Sequence, residues 1–484
     1  MNKKTKMNSL CLSEKKLRRT VAALLCCLPL AAFALDTGKI APQEIAVYVQ
    51  DMQTGQVLEA HRADVSMQPA SVMKLVTTFA ALRALGPDFS WQTEFKSNAP
   101  VRNGVLEGDV YWVGSGNPVF DQKDVLQMQQ QMRAQGIQHI RGQLVFDDSV
   151  WSSNGSADDF ESDAGETFAT PPSPHMLAYK VVWAKAVRNP LGDIAFETNP
   201  PLPAIPHQID VQSGGLGNCT SLKNYVSAAY RSGVLHFNGK LPESCIGSEM
   251  FINMLDMDEF ASQSFINQWR SIGGEIADGH RADKAPARAE TLAGHRSQPL
   301  SQVLRDMNKN SNNVIARSLF LTLGAQRAGQ QTVQNARAEV RRELVAAGLD
   351  DEALNLENGS GLSRRERATA RMLGEMLAVA WKSPFRQAFV DSLPIGGVDG
   401  TLKSRFAAPN QNGRFYLKTG TLDNVRALAG YWLPANNSEG NPLAVVVMVN
   451  SKQAKQYLGE MDKVVGRVVT NKLPAVIDTG ISDF

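Results

Sequence analysis

Apolar residues recur every three or four positions from Ser71 to Leu85, which predicts an amphipathic α-helix over that stretch. Two shorter runs precede this helix, Ile45–Gln50 and Gln56–His61, and both have the composition of β-strands. Thr54-Gly55 lies between them and favours a tight turn. The chain is therefore predicted to begin its folded part with a β-hairpin, followed by a helix that starts at a serine.

The pattern changes at about Trp91, after which short strand-like runs alternate with turn signals such as Asn103-Gly104. One helical segment, Gln122–Gln135, interrupts these runs, and Ser152–Pro174 is polar, acidic and proline-rich, as expected for a long loop. This alternation of short strand-like runs and turns predicts an inserted β-rich module of two small domains. The predicted divisions of the chain are 1–34, 35–95, 96–287 and 288–484.

Helical periodicity returns after the module. The predicted helices are Gln302–Asn308, Asn313–Leu323, Ala336–Ala347 and Ala368–Trp381. The predicted strands that follow are Arg414–Lys418, Ala427–Leu433 and Leu443–Val449. A last helix, Lys455–Leu473, has one apolar face, formed by Leu458, Met461, Val464, Val465, Val468 and Val469. The spacing of this face favours packing against the adjacent sheet over attachment to a membrane.

The first 34 residues have the organisation of an export signal. Basic residues precede an apolar run from Val21 to Phe33, and Ala32-Phe33-Ala34 has the small-x-small pattern that signal peptidase requires. The alternatives are lipidation at Cys26-Cys27, which follows a large leucine, and twin-arginine export through Arg18-Arg19, whose following residues fit that signal poorly. The apolar run is too short to span a bilayer comfortably. We expect secretion to the periplasm, removal of residues 1–34 and no transmembrane segment in the mature chain.

Charge and motif content exclude several classes of protein. Residues 1–34 carry seven basic residues and one acidic residue, so the formal net charge of +2 conceals a mildly acidic mature chain without a basic stripe. That distribution argues against nucleic-acid binding. The sequence has no H-E-x-x-H pattern, no P-loop and no dinucleotide fingerprint, so we expect no metal and no cofactor. Cys219 and Cys245 remain after signal removal, and in an exported chain they predict one disulfide rather than two free thiols.

Candidate chemistry begins with Ser71-Val72-Met73-Lys74. Residues three apart on a helix share a face, so Lys74 can approach the hydroxyl of Ser71. A neutral amine there can accept the serine proton if burial or a nearby positive charge lowers its pKa. The backbone N–H of Ser71 can also serve an oxyanion hole. Alone, this pattern is more often a helix-start serine beside a solvated lysine.

Two further motifs follow in order. Ser311-Asn312-Asn313 lies at a helix boundary, where Ser311 can relay a proton to a leaving amine and Asn313 can bind a substrate amide, although a plain capping serine explains the pattern equally well. Lys418-Thr419-Gly420-Thr421 lies on a predicted strand. Lys418, Thr419 and Thr421 suit a terminal carboxylate, the N–H of Thr421 can be the second oxyanion donor, and Gly420 is expected to leave the strand open to an extended peptide.

The serine, S-x-N and K-T-G motifs in this order match the penicillin-recognising enzymes. The chain resembles the class C low-molecular-mass penicillin-binding proteins, the D-alanyl-D-alanine carboxypeptidase/endopeptidase family. The other segments that carry the resemblance are Leu85-Gly-Pro-Asp-Phe89, Gly359-Ser-Gly-Leu-Ser-Arg364, Leu393-Pro-Ile-Gly-Gly-Val-Asp-Gly400 and Leu428-Ala-Gly430.

The resemblance implies an α+β fold, in which a transpeptidase/β-lactamase-like domain, a five-stranded antiparallel sheet flanked by helices, is interrupted by inserted, largely β domains. It implies cleavage of D-Ala-D-Ala stem peptides or peptide cross-links of peptidoglycan through an acyl-serine, and inhibition by β-lactams. The family also has an acidic residue that contacts the substrate side chain. Counting back from Phe168 suggests Asp163, with the acidic residues of Asp158–Glu161 as rivals.

Two other functions fit parts of the pattern. A serine β-lactamase is the closer one, because Asp351-Glu352-Ala353-Leu354-Asn355 approximates the E-x-x-L-N segment of class A enzymes, but an aspartate replaces the glutamate and the segment reads better as a turn leading into a strand. The second is a non-catalytic peptidoglycan-binding protein of the same fold. The intact Ser71 and Lys74 argue against this function. The sequence contains no G-x-S-x-G motif, which argues against a Ser-His-Asp hydrolase.

Overall fold

The computed structural model describes residues 35–153, 167–203, 205–214, 217–326, 331–436 and 440–472. The predicted signal peptide lies outside these residues. The α-helices of the described part are α1 (Met73–Ala84), α2 (Gln122–Ala134), α3 (Met257–Ser271), α4 (Leu300–Lys309), α5 (Asn313–Ala325), α6 (Thr332–Ala346), α7 (Ala370–Lys382), α8 (Arg386–Asp391) and α9 (Leu458–Lys472).

The strands are β1 (Ile45–Asp51), β2 (Val57–His61), β3 (Gln92–Ser97), β4 (Val101–Arg102), β5 (Val105–Leu106), β6 (Val110–Val113), β7 (His139–Ile140), β8 (Leu144–Asp147), β9 (Val182–Arg188), β10 (Ile194–Asn199), β11 (His207–Ser213), β12 (Val226–Arg231), β13 (Val234–Leu241), β14 (Glu249–Ile252), β15 (His280–Ala282), β16 (Glu290–Arg296), β17 (Phe415–Leu422), β18 (Val425–Trp432) and β19 (Leu443–Asn450).

The main sheet has five antiparallel strands in the order β17-β18-β19-β1-β2. It joins the N-terminal hairpin to strands almost 400 residues later, and β1 pairs with β19 from Ile45 opposite Val449 to Asp51 opposite Leu443. Strand β18 is buried at every position, because helices cover both faces of the sheet. The predicted hairpin and the predicted antiparallel sheet with flanking helices are both confirmed.

The chain between β2 and α4 builds separate sheets. A five-stranded mixed sheet has the order β15-β8-β6-β3-β16, and the three-stranded sheets are β10-β9-β14, β11-β13-β12 and β4-β5-β7. The region is β-rich as predicted, but sequence reasoning missed α3, which carries the buried Phe265 and Trp269. The module was predicted to contain one helix, Gln122–Gln135, among short strands. The residues of α3 nevertheless have helical spacing, and Asp256 caps the start of the helix.

Two hydrophobic cores correspond to these two parts of the chain. The first unites α1, α4, α5 and α7 with the main sheet, and it includes Phe79, Leu319 and Tyr431. The second lies among the sheets and helices of the inserted region, and it includes Trp112 and Phe237. The domain limits given above stay predictions.

The closing helix α9 packs against β18 and β19. Its apolar stripe is buried from Met461 to Val469, which confirms packing on the sheet, but Leu458 is 40% exposed at the first position of the helix. The prediction that Leu458 belongs to the buried face is wrong, because Leu458 is the first residue of the helix, directly after the 3-10 turn Ala454–Tyr457, and it precedes the buried run that begins at Met461. Within the described ranges, no helix combines the length and the apolarity needed to cross a bilayer.

The predicted disulfide is present between Cys219 and Cys245, and it encloses a loop with a sequence separation of 26 residues. Cys245 is fully buried in the second core. Replacing both cysteines by serine is expected to destabilise the protein by roughly 3 kcal/mol, because the unfolded chain regains loop entropy. Urea unfolding with and without reductant measures this effect. The double variant should unfold identically in both conditions, and an unchanged midpoint relative to the parent in oxidising buffer would contradict the expectation.

Candidate active site

Ser71 lies in a single 3-10 turn, Ala70–Val72, which leads directly into α1 at Met73. The helix therefore begins two residues later than predicted, and Ser71 precedes its regular part. The turn is held in an unusual conformation, because Ala70 has a positive φ of 47°. Gly361 packs against this turn so closely that a Cβ atom there would overlap the Ala70 carbonyl oxygen. The Gly359–Arg364 segment thus fixes the backbone that presents the serine.

Lys74 is fully buried and its ammonium nitrogen has three partners. Nζ lies 3.0 Å from Ser71 Oγ, 2.6 Å from Asn313 Oδ1 and 2.6 Å from the Ser360 carbonyl oxygen. The amide and carbonyl oxygens can only accept hydrogen bonds. A neutral amine has two N–H groups for those two acceptors, and its lone pair is then directed at the remaining partner, the Ser71 hydroxyl. A charged Lys74 instead donates to all three oxygens, so the contact set suits both protonation states and places a neutral Lys74 to accept the Ser71 proton.

Burial lowers the pKa of Lys74 from its usual value to about 7, and the nearby Glu366 carboxylate opposes that shift. An amine with such a pKa is substantially neutral at physiological pH, which a general base requires. Glu366 is itself fully buried, and burial raises its pKa. Its Oε1 accepts the N–H groups of Glu357, Asn358 and Gly359, so it also shapes the loop that supplies the Ser360 carbonyl. Sequence reasoning did not identify Glu366.

Ser311 faces the same cleft from the turn between α4 and α5. Its backbone has a positive φ of 55°, and its Oγ accepts a hydrogen bond of 2.9 Å from Lys418 Nζ. The helix cap is Asn312, whose side chain accepts the N–H of Ile315. The alternative that Ser311 is merely a capping serine is therefore wrong, and its hydroxyl is available to the cleft.

The third motif lies on β17. This strand extends to Leu422, whereas the predicted strand ended at Lys418. Lys418 is buried, and burial together with the charge of Lys74 holds its pKa well below the usual value. Thr419 Oγ1 donates to Thr401 Oγ1 at 2.9 Å. Thr401 had not been identified, although it directly follows the Leu393–Gly400 segment noted above.

Gly420 has a different reason for being glycine than the one expected. A Cβ atom at this position would lie 2.6 Å from the Pro69 carbonyl oxygen and 3.2 Å from the Ala70 side chain. The space beside the strand is therefore filled by the turn that carries Ser71, and the expectation that Gly420 opens the strand to a peptide is wrong. The glycine instead brings β17 and the nucleophile turn into contact.

A cavity of about 460 Å³ opens in front of Ser71. Ser311, Asn313, Thr419 and Thr421 line it, while Lys74 and Lys418 lie beneath these side chains. Residues that line it but were not predicted as site residues are Phe168, Gly361, Leu362, Arg364, Thr401, Leu422, Asp423, Arg426 and Lys455. The three sequence motifs therefore converge on one cleft. Asp163 and its rivals lie outside the described residues.

The segment that suggested a class A β-lactamase has a structural role. Asp351 pairs with Arg341, and Asn355 forms an isolated antiparallel bridge with Arg367. This confirms the interpretation of the segment as a turn that leads into extended backbone. Across the described ranges, no group of three or more metal-ligating side chains is gathered as a metal site would need.

The electrostatic coupling of Glu366 and Lys74 gives a pH prediction. The acylation rate is expected to rise with pH through about 7, because only neutral Lys74 accepts a proton. Glu366→Gln retains an acceptor for the three amides but removes the negative charge, so the pKa of Lys74 should fall. The acidic limb, which is the part of the pH profile where the acylation rate rises, should therefore move to lower pH. Stopped-flow acylation by a chromogenic cephalosporin measures the limb.

Glu339→Gln is the matched control, because Glu339 is also buried but pairs with Arg342. Its acidic limb should coincide with that of the parent protein. A limb that stays in place in Glu366→Gln would mean that Glu366 is uncharged in the working enzyme.

Comparison with known proteins agrees with this geometry. The family model described as D-Ala-D-Ala carboxypeptidase 3 (S13) matches residues 28–469. A D-alanyl-D-alanine carboxypeptidase from an Actinomadura species is 30% identical over 444 residues, which cover 87% of this chain and 80% of that protein. The D-alanyl-D-alanine carboxypeptidase DacB of Haemophilus influenzae is 26% identical, over 84% of this chain and 85% of the relative.

Solved structures confirm the predicted fold class. Penicillin-binding protein 4 from H. influenzae superposes with a TM-score of 0.71 at 24% identity, covering 88% of this chain and 95% of that one. The Bdellovibrio bacteriovorus predatory endopeptidase Bd3459, bound to its immunity protein, superposes with a TM-score of 0.50 at 17% identity, covering 88% and 90%. The chain therefore belongs to the D-Ala-D-Ala carboxypeptidase 3 (S13) family of class C low-molecular-mass penicillin-binding proteins, and it is a serine-type DD-peptidase.

Proposed function

We propose that Ser71 is the nucleophile that cleaves D-Ala-D-Ala stem peptides, or the peptide cross-links between them, in bacterial peptidoglycan. The observation that carries this proposal is the convergence of three distant segments on the one cleft that contains the Ser71 hydroxyl. Lys74 contacts both Ser71 and Asn313, which is 239 residues away, and Lys418 reaches Ser311 across 107 residues. A set of contacts over such separations needs the whole fold, and it supports a catalytic role better than a local structural one.

The first step forms an acyl-serine. Ser71 Oγ attacks the carbonyl carbon of the penultimate D-alanine, and neutral Lys74 takes the hydroxyl proton. The negative charge that develops on the carbonyl oxygen is stabilised by the N–H groups of Ser71 and Thr421. The C–N bond then breaks as the proton passes through the Ser311 hydroxyl to the leaving amine nitrogen. A carboxypeptidase releases D-alanine at this point, and an endopeptidase releases a cross-linked partner.

The substrate is oriented by the wall of the catalytic cavity that carries the third motif. Lys418 and the hydroxyls of Thr419 and Thr421 suit the carboxylate that follows the scissile bond, and a bound carboxylate would favour the charged form of Lys418. Asn313 presents its Oδ1 to Lys74 and donates its Nδ2 to the Phe168 carbonyl at 3.1 Å. We propose that this amide group also binds the substrate backbone, and that an acidic residue, Asp163 by its sequence position, contacts the substrate side chain.

Hydrolysis of the ester completes the cycle. Water attacks the acyl carbonyl carbon and gives a proton to Lys74. The ester C–O bond to Ser71 then breaks, Ser71 Oγ takes that proton back from Lys74, and the shortened peptide leaves as a carboxylic acid. Penicillins present a strained amide to the same hydroxyl and should form a stable ester with Ser71. We further propose that the protein acts in the periplasm after export.

The test combines two assays on the purified protein. A fluorescent penicillin should label it covalently, and purified muropeptides analysed by mass spectrometry should lose one alanine or convert from dimers to monomers. Loss of alanine identifies a carboxypeptidase and loss of dimers an endopeptidase. Rapid turnover of benzylpenicillin without change in the muropeptides would identify a β-lactamase, and penicillin binding without any hydrolysis would identify a non-catalytic binding protein.

A further inference from the structure

A second cavity of about 530 Å³ lies beside the catalytic cavity. The two cavities share Phe168, Ser311 and Asn313 in their linings. A polymer held at Ser71 can therefore continue past Asn313 into the second cavity, which we call the aromatic groove. The far wall of this groove comes from the inserted region.

Two exposed aromatic side chains form that wall. Trp183 on β9 is 46% exposed and Phe251 on β14 is 48% exposed. They are direct cross-strand partners, and their ring centroids lie 5.5 Å apart at an interplanar angle of 83°. Their neighbours Val182 and Ala184 point into the second core, so the aromatic pair is on the outer face of the sheet. Core packing does not account for two large rings on this face, and exposed aromatic pairs beside a cleft are typical of binding sites.

The backbone next to these rings is held in an unusual conformation. Ala178, Tyr179 and Lys180 have positive φ angles of 45°, 53° and 49°, although none of them is glycine. Such conformations are costly and are concentrated at ligand sites, where surrounding contacts maintain them. Here the Lys180 ammonium donates to the Leu255 carbonyl at 2.8 Å. The Tyr179 carbonyl accepts a hydrogen bond of 3.4 Å from Asn253 Nδ2, and Tyr179 lines the groove.

The polar groups of the groove narrow the choice of ligand. Asn310 and Asn312 provide amide side chains, Lys223 provides a single ammonium, and no carboxylate lines the groove among the described residues. A polyanion would need several cations, and a purely apolar ligand would cover the exposed Asn310 amide without offering it a hydrogen bond. The groove therefore needs a ligand with apolar faces for its aromatic rings and hydrogen-bonding groups for its amide. A chain of N-acetylated sugars has both, because its ring faces present C–H groups and its hydroxyl and acetamido groups form hydrogen bonds.

We propose that the aromatic groove binds the glycan strand of peptidoglycan while a stem peptide attached to that strand occupies the catalytic cavity. This inference rests on the proposed function and adds its substrate form, since the enzyme would then prefer peptides that still carry their sugars. Trp183 and Phe251 provide the platform, and the Asn310 amide provides the polar contact.

The experiment uses one matched pair of substrates. A disaccharide pentapeptide and the same pentapeptide without sugars differ only in the part that the groove would bind. The parent protein should show at least about tenfold higher kcat/KM for the glycosylated form, as expected for burial of an interfacial aromatic pair. The double variant Trp183→Ala/Phe251→Ala should lose this preference and keep the parent kcat/KM for the free peptide and the parent rate of penicillin acylation.

Leu191→Ala is the control, because Leu191 is an 87% exposed apolar residue in the turn between β9 and β10. It should retain the preference, and Trp183→Phe should retain part of it. Equal kcat/KM for the two substrates in the parent protein, or an equal loss on both in the double variant, would overturn the glycan assignment. A double variant impaired only on cross-linked peptides without sugars would assign the groove to a second peptide and also overturn it. Failure of the parent protein to cleave either substrate would instead contradict the proposed function.

Discussion

Ser71→Ala is expected to reduce peptide hydrolysis by about 10⁶-fold and to abolish covalent labelling by fluorescent penicillin. The substitution removes the only atom proposed to form the acyl ester, and no neighbouring group replaces it. Lys74 would keep Asn313 Oδ1 and the Ser360 carbonyl as partners, so the buried amine is not left unsatisfied. The fold should therefore survive, with a melting temperature within a few degrees of the parent value.

The control for this substitution is Ser262→Ala. Ser262 is a buried serine on α3 in the inserted region, where its hydroxyl donates to the Glu259 carbonyl of the preceding turn, and it lies outside the catalytic cavity. That variant should label and hydrolyse normally. Persistent labelling of Ser71→Ala, with the label mapped to another residue by mass spectrometry, would falsify the assignment of the nucleophile.

Lys74→Met is expected to lower the acylation rate by about 10²- to 10⁴-fold, the range typical for loss of a general base. Methionine has a similar shape and an apolar end, so the cost of burying an amine disappears while two oxygen acceptors lose their donor. These effects oppose each other, and we expect only a small change in the free energy of unfolding. The residual acylation should lose the dependence on pH near 7 that Lys74 imposes.

The matched control is Lys180→Met. Lys180 is less buried than Lys74, but its ammonium also donates to a backbone carbonyl, that of Leu255. Penicillin acylation of this variant should equal that of the parent. Stopped-flow acylation between about pH 5 and 9 distinguishes the variants. If Lys74→Met retained the acidic limb, the base would be another group, and Lys418 with Ser311 would be the next candidate because those two groups also contact each other in the cleft.

The two predictions test different atoms of one arrangement. Loss of Ser71 removes the ester-forming oxygen, whereas loss of Lys74 leaves that oxygen in place without its proton acceptor. Penicillin acylation should therefore be slow but complete in Lys74→Met and absent in Ser71→Ala. Equal behaviour of both variants in long incubations would indicate that Lys74 also positions Ser71, which the 3.0 Å contact permits.

Although the pairing of strands into one antiparallel sheet was implied only by the family resemblance, the sequence by itself determined the strand-like runs of that sheet, the helix after Ser71 and the three motifs that form the cleft. These features follow from local regularities, namely apolar periodicity, turn residues and short motifs, and each can be read within about fifteen residues. Local patterns did not reveal α3, whose burial depends on sheets built by other segments, and they assigned Leu458 to the core although its side chain is 40% exposed.

Tertiary structure alone decided how the motifs work. Glu366, Ser360 and Thr401 have no local signal, because their roles come from contacts with segments far away along the chain. Gly420 was recognised as part of a motif, but only the approach of the Pro69 carbonyl shows why a side chain is excluded there. The lowered pKa of Lys74 has the same origin, since burial by the assembled fold removes water from an amine that the sequence shows only as a lysine.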